Sequence, residues 1–255
     1  MLSIVIPTLQ KNTTILSLLI DTLTKDQNVG EIILIDNSLK GFQNNSPKLR
    51  VIVPEQNLYV NPSWNLGVQE AKYDFIGLLN DDIAVAENFC SNVLAKLDEK
   101  NGIYGVNIKN VVSKDEISEI PQNTSGIEIE KINYRGEWFG VAMFFHKNSY
   151  VKIPEQLKIY RGDDWIVLQA KKNKKQNYTI LGQDIYHLGS LSSADKNFNP
   201  ILRQDAKNYT HLTVKWYNRL FSTGESINYY CLRLCGITFN LKKSFLNEIK
   251  SIFKK

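Results

Sequence analysis

The sequence predicts an α/β fold, a mostly parallel sheet flanked by helices, with a basic helical tail at the C-terminal end. Three observations carry that expectation. Strand-like and helix-like segments alternate over the first hundred residues with short connections, the pattern of a parallel sheet covered on both faces. The predicted strands are short, unbroken apolar runs. Polar residues gather where those runs end, at the carboxyl edge of the sheet, where open α/β folds bind their ligands.

Ser3-Ile-Val-Ile6, closed by Pro7, reads as the first strand. Within 13–26, Ile15, Leu16, Leu19, Ile20 and Leu23 recur at helical spacing. Glu31-Ile-Ile-Leu-Ile35 and Arg50-Val-Ile-Val53 give the second and third strands. A helix suits 62–72, with Pro62 in its first turn, where a missing N–H costs nothing. Lys72–Leu79 is the fourth strand, and a helix follows over 86–100. From about 103 to 135 the alternation weakens, as Pro, Asn and charged residues interleave. Strand-like stretches return at Phe139–Phe145 and Tyr178–Tyr186, and after about 205 the pattern turns helical and basic. The expected division is a principal domain over 1–205, in two halves of 1–102 and 103–205, and a helical basic extension over 206–255.

At 255 residues, 43% hydrophobic and 22% charged, the chain is long enough for one large α/β domain with a small appendage, and its composition excludes disordered and fibrous classes. Apolar runs such as Phe75–Leu79 are far too short to cross a bilayer. The sequence opens directly on a strand-like segment, without a basic stretch or cleavage site, so a cytoplasmic location is the expectation. Cys90, Cys231 and Cys235 form no CxxC pair and no zinc-spaced cluster, and read as reduced structural residues. The net charge of +5 is unevenly spread: residues 1–120 hold 10 basic and 15 acidic side chains, and residues 207–255 hold 9 basic and 2 acidic. Such a tail faces something anionic. No nucleic-acid-binding signature is present, and an anionic membrane surface is the better fit.

Leu78-Leu-Asn-Asp-Asp-Ile83 ends an apolar strand in two carboxylates, Asp81 and Asp82. Hard divalent cations such as Mg²⁺ or Mn²⁺ take oxygen ligands, usually one or two carboxylates with phosphates and water. The same acids equally suit the cap of the helix near 86–100, and the segment alone leaves both readings open. Arg161-Gly-Asp-Asp-Trp165 repeats the ambiguity: Asp163 and Asp164 suit a helix cap, or one of them a general base. His187, in Ile185-Tyr-His-Leu-Gly-Ser190, reads as a hydrogen-bonded structural residue or as a neutral imidazole ligand.

Taken together and in order, seven segments resemble the inverting family 2 glycosyltransferases of the GT-A fold, of bacterial polysaccharide and lipopolysaccharide type. They are Ser3-Ile-Val-Ile-Pro-Thr8, Glu31-Ile-Ile-Leu-Ile-Asp-Asn37, Asn57 with Asn65-Leu-Gly67, Leu79-Asn-Asp-Asp82, Gly140-Val-Ala-Met143, Asp163-Asp164-Trp165 and His187-Leu-Gly-Ser190. The resemblance implies that Pro7, Thr8, Asp36 and Asn37 hold the nucleotide, with Asn57 and Asn65 beside its pocket. It makes Asn80-Asp81-Asp82 the metal-binding triplet with Asp82 the direct ligand, His187 the completion of the metal and diphosphate site, and Asp164 the base with Asp163 as its alternate. Three positions depart from the family pattern. Asn80 replaces the first Asp of the triplet, Asp163 replaces a Glu, and Tyr59 stands where Gly is common, so that a different loop path is expected there.

The implied activity is inverting transfer of a sugar from a nucleoside-diphosphate sugar, UDP- or dTDP-linked, to a hydroxyl of a glycan or lipid-linked acceptor in cell-surface polysaccharide biosynthesis, with Mn²⁺ or Mg²⁺ as cofactor. Residues 1–102 then form the nucleotide-sugar-binding half of the catalytic domain and 103–205 the acceptor side. An inverting displacement needs a base on the acceptor side and charge neutralisation on the leaving side, and the two acidic segments supply both. In the tail, Leu241, Phe245, Leu246, Ile249, Ile252 and Phe253 fall at helical spacing among lysines. Such a helix lies on the inner face of a membrane or packs on its own domain. A nucleotidyltransferase is set aside because its glycine-rich N-terminal loop is missing. A catalytically inactive nucleotide-sugar-binding protein remains the alternative.

Overall fold

The structure, a computed structural model, describes residues 1–123, 125–188 and 196–214, together with the backbone of three strands at 221–225, 229–234 and 237–242. It divides into two compact units, Met1–Asp205 and Ala206–Lys255. In chain order the first unit runs β1 (Leu2–Thr8), α1 (Thr13–Lys25), β2 (Val29–Asp36), β3 (Leu49–Ile52), α2 (Val60–Glu70), β4 (Phe75–Leu79), β5 (Ile83–Ala84) and α3 (Phe89–Leu94). Then come β6 (Tyr104–Val106), β7 (Val111–Ser113), β8 (Glu128–Ile132), β9 (Ala142–His146), α4 (Gly162–Lys172), β10 (Asn177–Leu181), β11 (Ile185–His187) and α5 (Asn199–Thr213).

The principal sheet has eight strands in the order β3-β2-β1-β4-β9-β6-β10-β8. β1 pairs in parallel with β2 and β4, β2 with β3, and β6 with β10; β9 is inserted antiparallel between β4 and β6, and β8 closes one edge antiparallel to β10. β1 is buried at all seven positions and β2 at all but Gly30, which is why both read as continuous apolar runs rather than alternating ones. The core joins these strands to Leu16, Leu19, Ile20 and Leu23 of α1 and to Phe89, Tyr104 and Phe144. Strand order reverses between β1 and β4, so a crevice opens beyond their carboxyl ends. Pro7-Thr8 and Asn80-Asp81-Asp82 both lie at that switch point.

Several boundaries differ from the expectation, each for a local reason. α3 is regular only over Phe89–Leu94 rather than 86–100, because the Asp98 side chain takes the Lys100 amide in a turn that competes with the helix. The stretch 178–186 is two strands, split where Gly182 takes a φ of +91° that other residues avoid. The irregular-looking segment 103–135 supplies β6, β7 and β8. Each has only three to five residues, too few for a period to emerge against interleaved polar side chains.

The helical reading of 206–255 needs correction. α5 ends at Thr213, and the second unit carries an antiparallel meander of β12 (Phe221–Glu225), β13 (Tyr229–Leu234) and β14 (Ile237–Lys242). Aromatic and β-branched residues supply seven of the seventeen positions in these stretches, and Ile237, Phe239 and Leu241 alternate with Thr238, Asn240 and Lys242, the strand period of two. The amphipathic pattern over 241–253 begins inside β14, and the rest of it lies outside the described residues.

Candidate active site

A cavity of about 330 Å³ opens at the switch point. One wall is laid down by strand ends. Pro7 and Thr8 finish β1, Asn37 follows β2, and Asn80, Asp81 and Asp82 follow β4. The Thr8 hydroxyl donates to Asp81 Oδ2 at 2.5 Å, joining two strand ends across the sheet. Asn37 is locked by its neighbours: its amide donates to Ser63 Oγ at 2.9 Å, and its oxygen accepts from the Leu58 N–H at 2.8 Å. Asn57 also lines the cavity and takes the Tyr59 N–H at 2.8 Å.

Burial pushes the Asp81 carboxyl up to about 6, against the pull of the Thr8 hydrogen bond, and burial pushes Asp82 up to about 6 as well. The short ladder between β5 and β11 sets His187 opposite Ile83, one residue from Asp82. His187 Nε2 lies 3.4 Å from Asp82 Oδ1, and that oxygen is buried with no hydrogen-bond partner. Burial lowers the His187 imidazole to about 4, so it is neutral at physiological pH and its ring can serve as a ligand. Trp138 stands edge-on to the ring, with centroids 4.8 Å apart. A buried, unpartnered carboxylate oxygen beside a neutral imidazole fits one divalent cation, for which ligand distances near 2.1 Å put adjacent ligand atoms roughly 3 Å apart. Among the described residues no group of three or more His, Cys, Asp or Glu could hold a metal. The described residues thus offer two candidate ligands, and phosphate and water oxygens would complete the shell of a bound cation.

The opposite wall comes from segments that are not strand ends. Asp163 in the first turn of α4 faces the cavity together with Arg135, Trp138, Gly140, Tyr160 and Arg161. Burial raises the Asp163 carboxyl, only partly countered by Arg135, whose Nε lies 3.2 Å from its Oδ2. At Gly140 an added Cβ would come within 2.9 Å of Asp163 Oδ2, so glycine there leaves room for the carboxylate. Asp164 does not line the cavity. Arg135 binds it through two hydrogen bonds of 2.7 and 3.0 Å, and Arg161 adds a third at 2.9 Å. An oxygen pair so fully engaged by guanidinium groups is a structural anchor, and the geometry favours Asp163 over Asp164 for contact with a substrate.

Two other residues that the sequence pointed to stand away from the cavity. Asp36 is fully buried, and its carboxylate organises the following turn by accepting from the Ser38 N–H, the Ser38 hydroxyl and the Gly41 N–H. Asn65 ties α2 to the 150–153 segment: Tyr150 Oη and the Ile153 N–H donate to its oxygen, and its amide donates to the Ile153 carbonyl. Arg135 and Trp138 went unrecognised in the sequence. They belong to the stretch between β8 and β9, and only their folded neighbours mark them out. Tyr59 has φ 67° and ψ −178°, a region almost reserved for glycine, so tyrosine here takes a glycine-type conformation under strain.

A carboxylate and imidazole pair at two strand ends, facing a buried acid across one cavity, suits group transfer with an anionic leaving group. The family model described as Glycosyl transferase family 2 matches residues 3–152, and the chain belongs to that family. No curated protein matches the sequence. Among solved structures, residues 1–349 of S. aureus TarS align at 16% identity over 85% of this chain and 76% of that one, with a TM-score of 0.53. The same fragment in complex with UDP-GlcNAc aligns at 14% over 85% and 68%, also at 0.53. GalNAc-T7 with UDP, GalNAc and Mn²⁺ aligns at 15% over 85% of this chain and 49% of that one, with a TM-score of 0.62. This chain thus spans about half of the GalNAc-T7 chain, and at these identities the likeness is one of fold, the GT-A α/β fold.

Proposed function

We propose that the protein is a divalent-cation-dependent, inverting glycosyltransferase that moves a sugar from a UDP- or dTDP-sugar to a hydroxyl of a glycan or lipid-linked acceptor. The observation that carries this reading is the division of the cavity. One wall presents Asp82, whose buried Oδ1 has no hydrogen-bond partner, 3.4 Å from the His187 imidazole, and the other presents Asp163 with its carboxyl raised by burial. The crystallised complexes of TarS with UDP-GlcNAc and of GalNAc-T7 with UDP and Mn²⁺ support the donor class and the cation.

Asp163 accepts the proton of the acceptor hydroxyl as that oxygen attacks the anomeric carbon, and the bond to the diphosphate breaks on the opposite face. Bound at Asp82 and His187, a divalent cation would neutralise the departing diphosphate. Arg135 holds Asp163 in the cavity wall, and Asp164 holds Arg135. Thr8 and Asp81 fix the floor beneath the nucleotide. The acceptor belongs, in this reading, to cell-surface polysaccharide synthesis at the cytoplasmic face of a membrane. The nine basic and two acidic residues of 207–255 support that place. Among the described residues no helix is long and apolar enough to cross a membrane.

The test is hydrolysis of a panel of UDP-, GDP- and dTDP-sugars by purified protein, with and without Mn²⁺. Cation-dependent release of one nucleoside diphosphate is the expected result. Tight donor binding with no release and no transfer would instead identify a nucleotide-sugar-binding protein.

A further inference from the structure

We infer that Asp205 is a positioning residue for the reaction: through the loop 158–160 it holds the strained turn at Arg161 that delivers Asp163 to the cavity. The inference rests on the transferase reading above. Asp205 lies on α5 and is 1% exposed. Its carboxylate accepts from three successive backbone amides, Lys158 N–H to both oxygens at 3.1 Å, Ile159 N–H at 2.7 Å and Tyr160 N–H at 2.8 Å. A carboxylate buried this deeply persists only where its oxygens are partnered, and here the three amides that donate to it follow one another in a single loop.

The carbonyl side of the same loop is taken by α2. Asn61 N–H donates to the Lys158 carbonyl at 2.9 Å, and the Asn61 side-chain amide donates to the Tyr160 carbonyl at 3.3 Å. The loop is therefore stitched from two sides just before the chain turns. At that turn Arg161 has φ 66° and ψ 8°, the left-handed region, which a non-glycine residue holds only when its surroundings over-determine it. Gly162 and Asp163 follow at once as the first residues of α4. The turn also sets the Arg161 guanidinium on Asp164 at 2.9 Å and over the Tyr160 ring at 4.6 Å. α5 further supplies Leu202, and the residue before it, Phe198, to the cavity wall that Ile159 and Tyr160 share.

A residue acting this way alters the placement of the base and leaves the nucleotide wall untouched. That separates it from a merely stabilising carboxylate. The experiment compares Asp205→Asn, Asp205→Glu and Asp205→Ala in the full chain, with three readouts: UDP binding with Mn²⁺ by calorimetry, Mn²⁺-dependent hydrolysis of the best donor sugar, and amide hydrogen exchange by peptide mass spectrometry. The expected result for Asp205→Asn is faster exchange confined to the peptides covering 158–164, UDP affinity within about twofold of wild type, and hydrolysis reduced at least tenfold in kcat. Asp205→Glu should recover part of the kcat. Unchanged kcat with faster exchange would overturn the positioning role, and so would loss of UDP binding in parallel with kcat across all three variants. If the wild-type chain hydrolyses no sugar nucleotide, the transferase reading fails first. The exchange arm then still decides whether Asp205 holds the loop, and unchanged exchange in Asp205→Asn rejects it.

Discussion

The two walls of the cavity are built by different means. On the donor side, Thr8, Asn37, Asn80 and Asp82 sit where parallel strands stop, so the register of the sheet places them. Each strand end is placed by the ladder behind it, with local side-chain bonds such as Thr8 to Asp81 and Asn37 to Ser63 added. On the other wall, Asp163, Arg135 and Trp138 come from a helix start and an irregular connection, and ion pairs and tight turns fix them in place of a ladder. Trp138 and Arg161 both take left-handed backbone conformations on this wall. A wall held by sheet register tolerates the loss of a side chain as a local event. A wall held by mutual clamps passes the loss on to its neighbours.

That contrast predicts unequal consequences. The largest effect is expected on the donor side, from Asp82→Ala. Lewis-acid neutralisation of a leaving group is worth several kcal/mol, so turnover should drop on the order of 10³-fold. Mn²⁺-dependent UDP binding should fall with it, while Tm stays near wild type. Calorimetry of UDP with and without Mn²⁺ checks this, and retained cation-dependent binding would move the ligand role away from Asp82.

On the opposite wall the neighbouring acids should behave differently. Asp163→Asn should cost roughly 10² to 10⁴ in kcat, the usual loss of a positioned base, with UDP affinity kept. Asp164→Asn breaks a largely buried, bidentate Arg135 contact, and hydrogen bonds to charged groups contribute about 1.5–3 kcal/mol each. Its main effect should be a lower denaturation midpoint, with a smaller loss of kcat passed on through Arg135. If Asp164→Asn is the dead and stable variant, the clamp and the base have been exchanged.

The difference between the walls is also a difference in legibility. Strand ends can be read from a sequence because an apolar run that stops in polar residues marks both the element and its edge. Asn80 and Asp82 are legible in that way, where the apolar run Phe75–Leu79 stops. Asp163 and Asp164 are legible only as a pair, because facing a cavity or facing two arginines depends on where Arg135 lies, 28 residues before Asp163 in the chain. Nothing local marks Arg135, Trp138 or Asp205, whose partners are remote in sequence. Tyr59 is a different case: it stands where glycine is common, and its backbone takes glycine-type angles and bears the strain. Over 237–242 the helical expectation gives way to strand because apolar and polar residues alternate there with a period of two.

The acid side of the pH profile sharpens the assignment of the base. Burial raises the Asp163 carboxyl above the usual value of 3.8. A base must be unprotonated, so kcat/KM should fall with decreasing pH through a midpoint higher than an ordinary aspartate would give. The stability term has the opposite sense. A raised carboxyl favours the folded state in its protonated form, so the contribution of Asp163 to stability improves as pH falls and is least favourable above its folded value. Asp163→Asn should therefore keep its Tm at neutral pH while losing turnover. A parallel loss of both would mean that the Arg135 contact matters more to the fold than the buried charge costs.

The smallest effect on binding is expected at Asn65, which separates residues that merely neighbour the donor wall from those that form it. Its oxygen accepts from Tyr150 Oη at 2.7 Å and from the Ile153 N–H at 2.9 Å, and its amide donates to the Ile153 carbonyl at 2.9 Å. None of these partners lines the cavity. Asn65→Ala leaves the Ile153 backbone groups and the Tyr150 hydroxyl without their partner, and a buried group so stranded costs about 1–3 kcal/mol. In a chain of this size each kcal/mol lowers Tm by roughly 2–4 °C. UDP affinity in the presence of Mn²⁺ should stay within about twofold of wild type. A variant that keeps its Tm but loses UDP would restore Asn65 to the nucleotide pocket, and the donor wall would then reach one turn further along α2 than strand register alone provides.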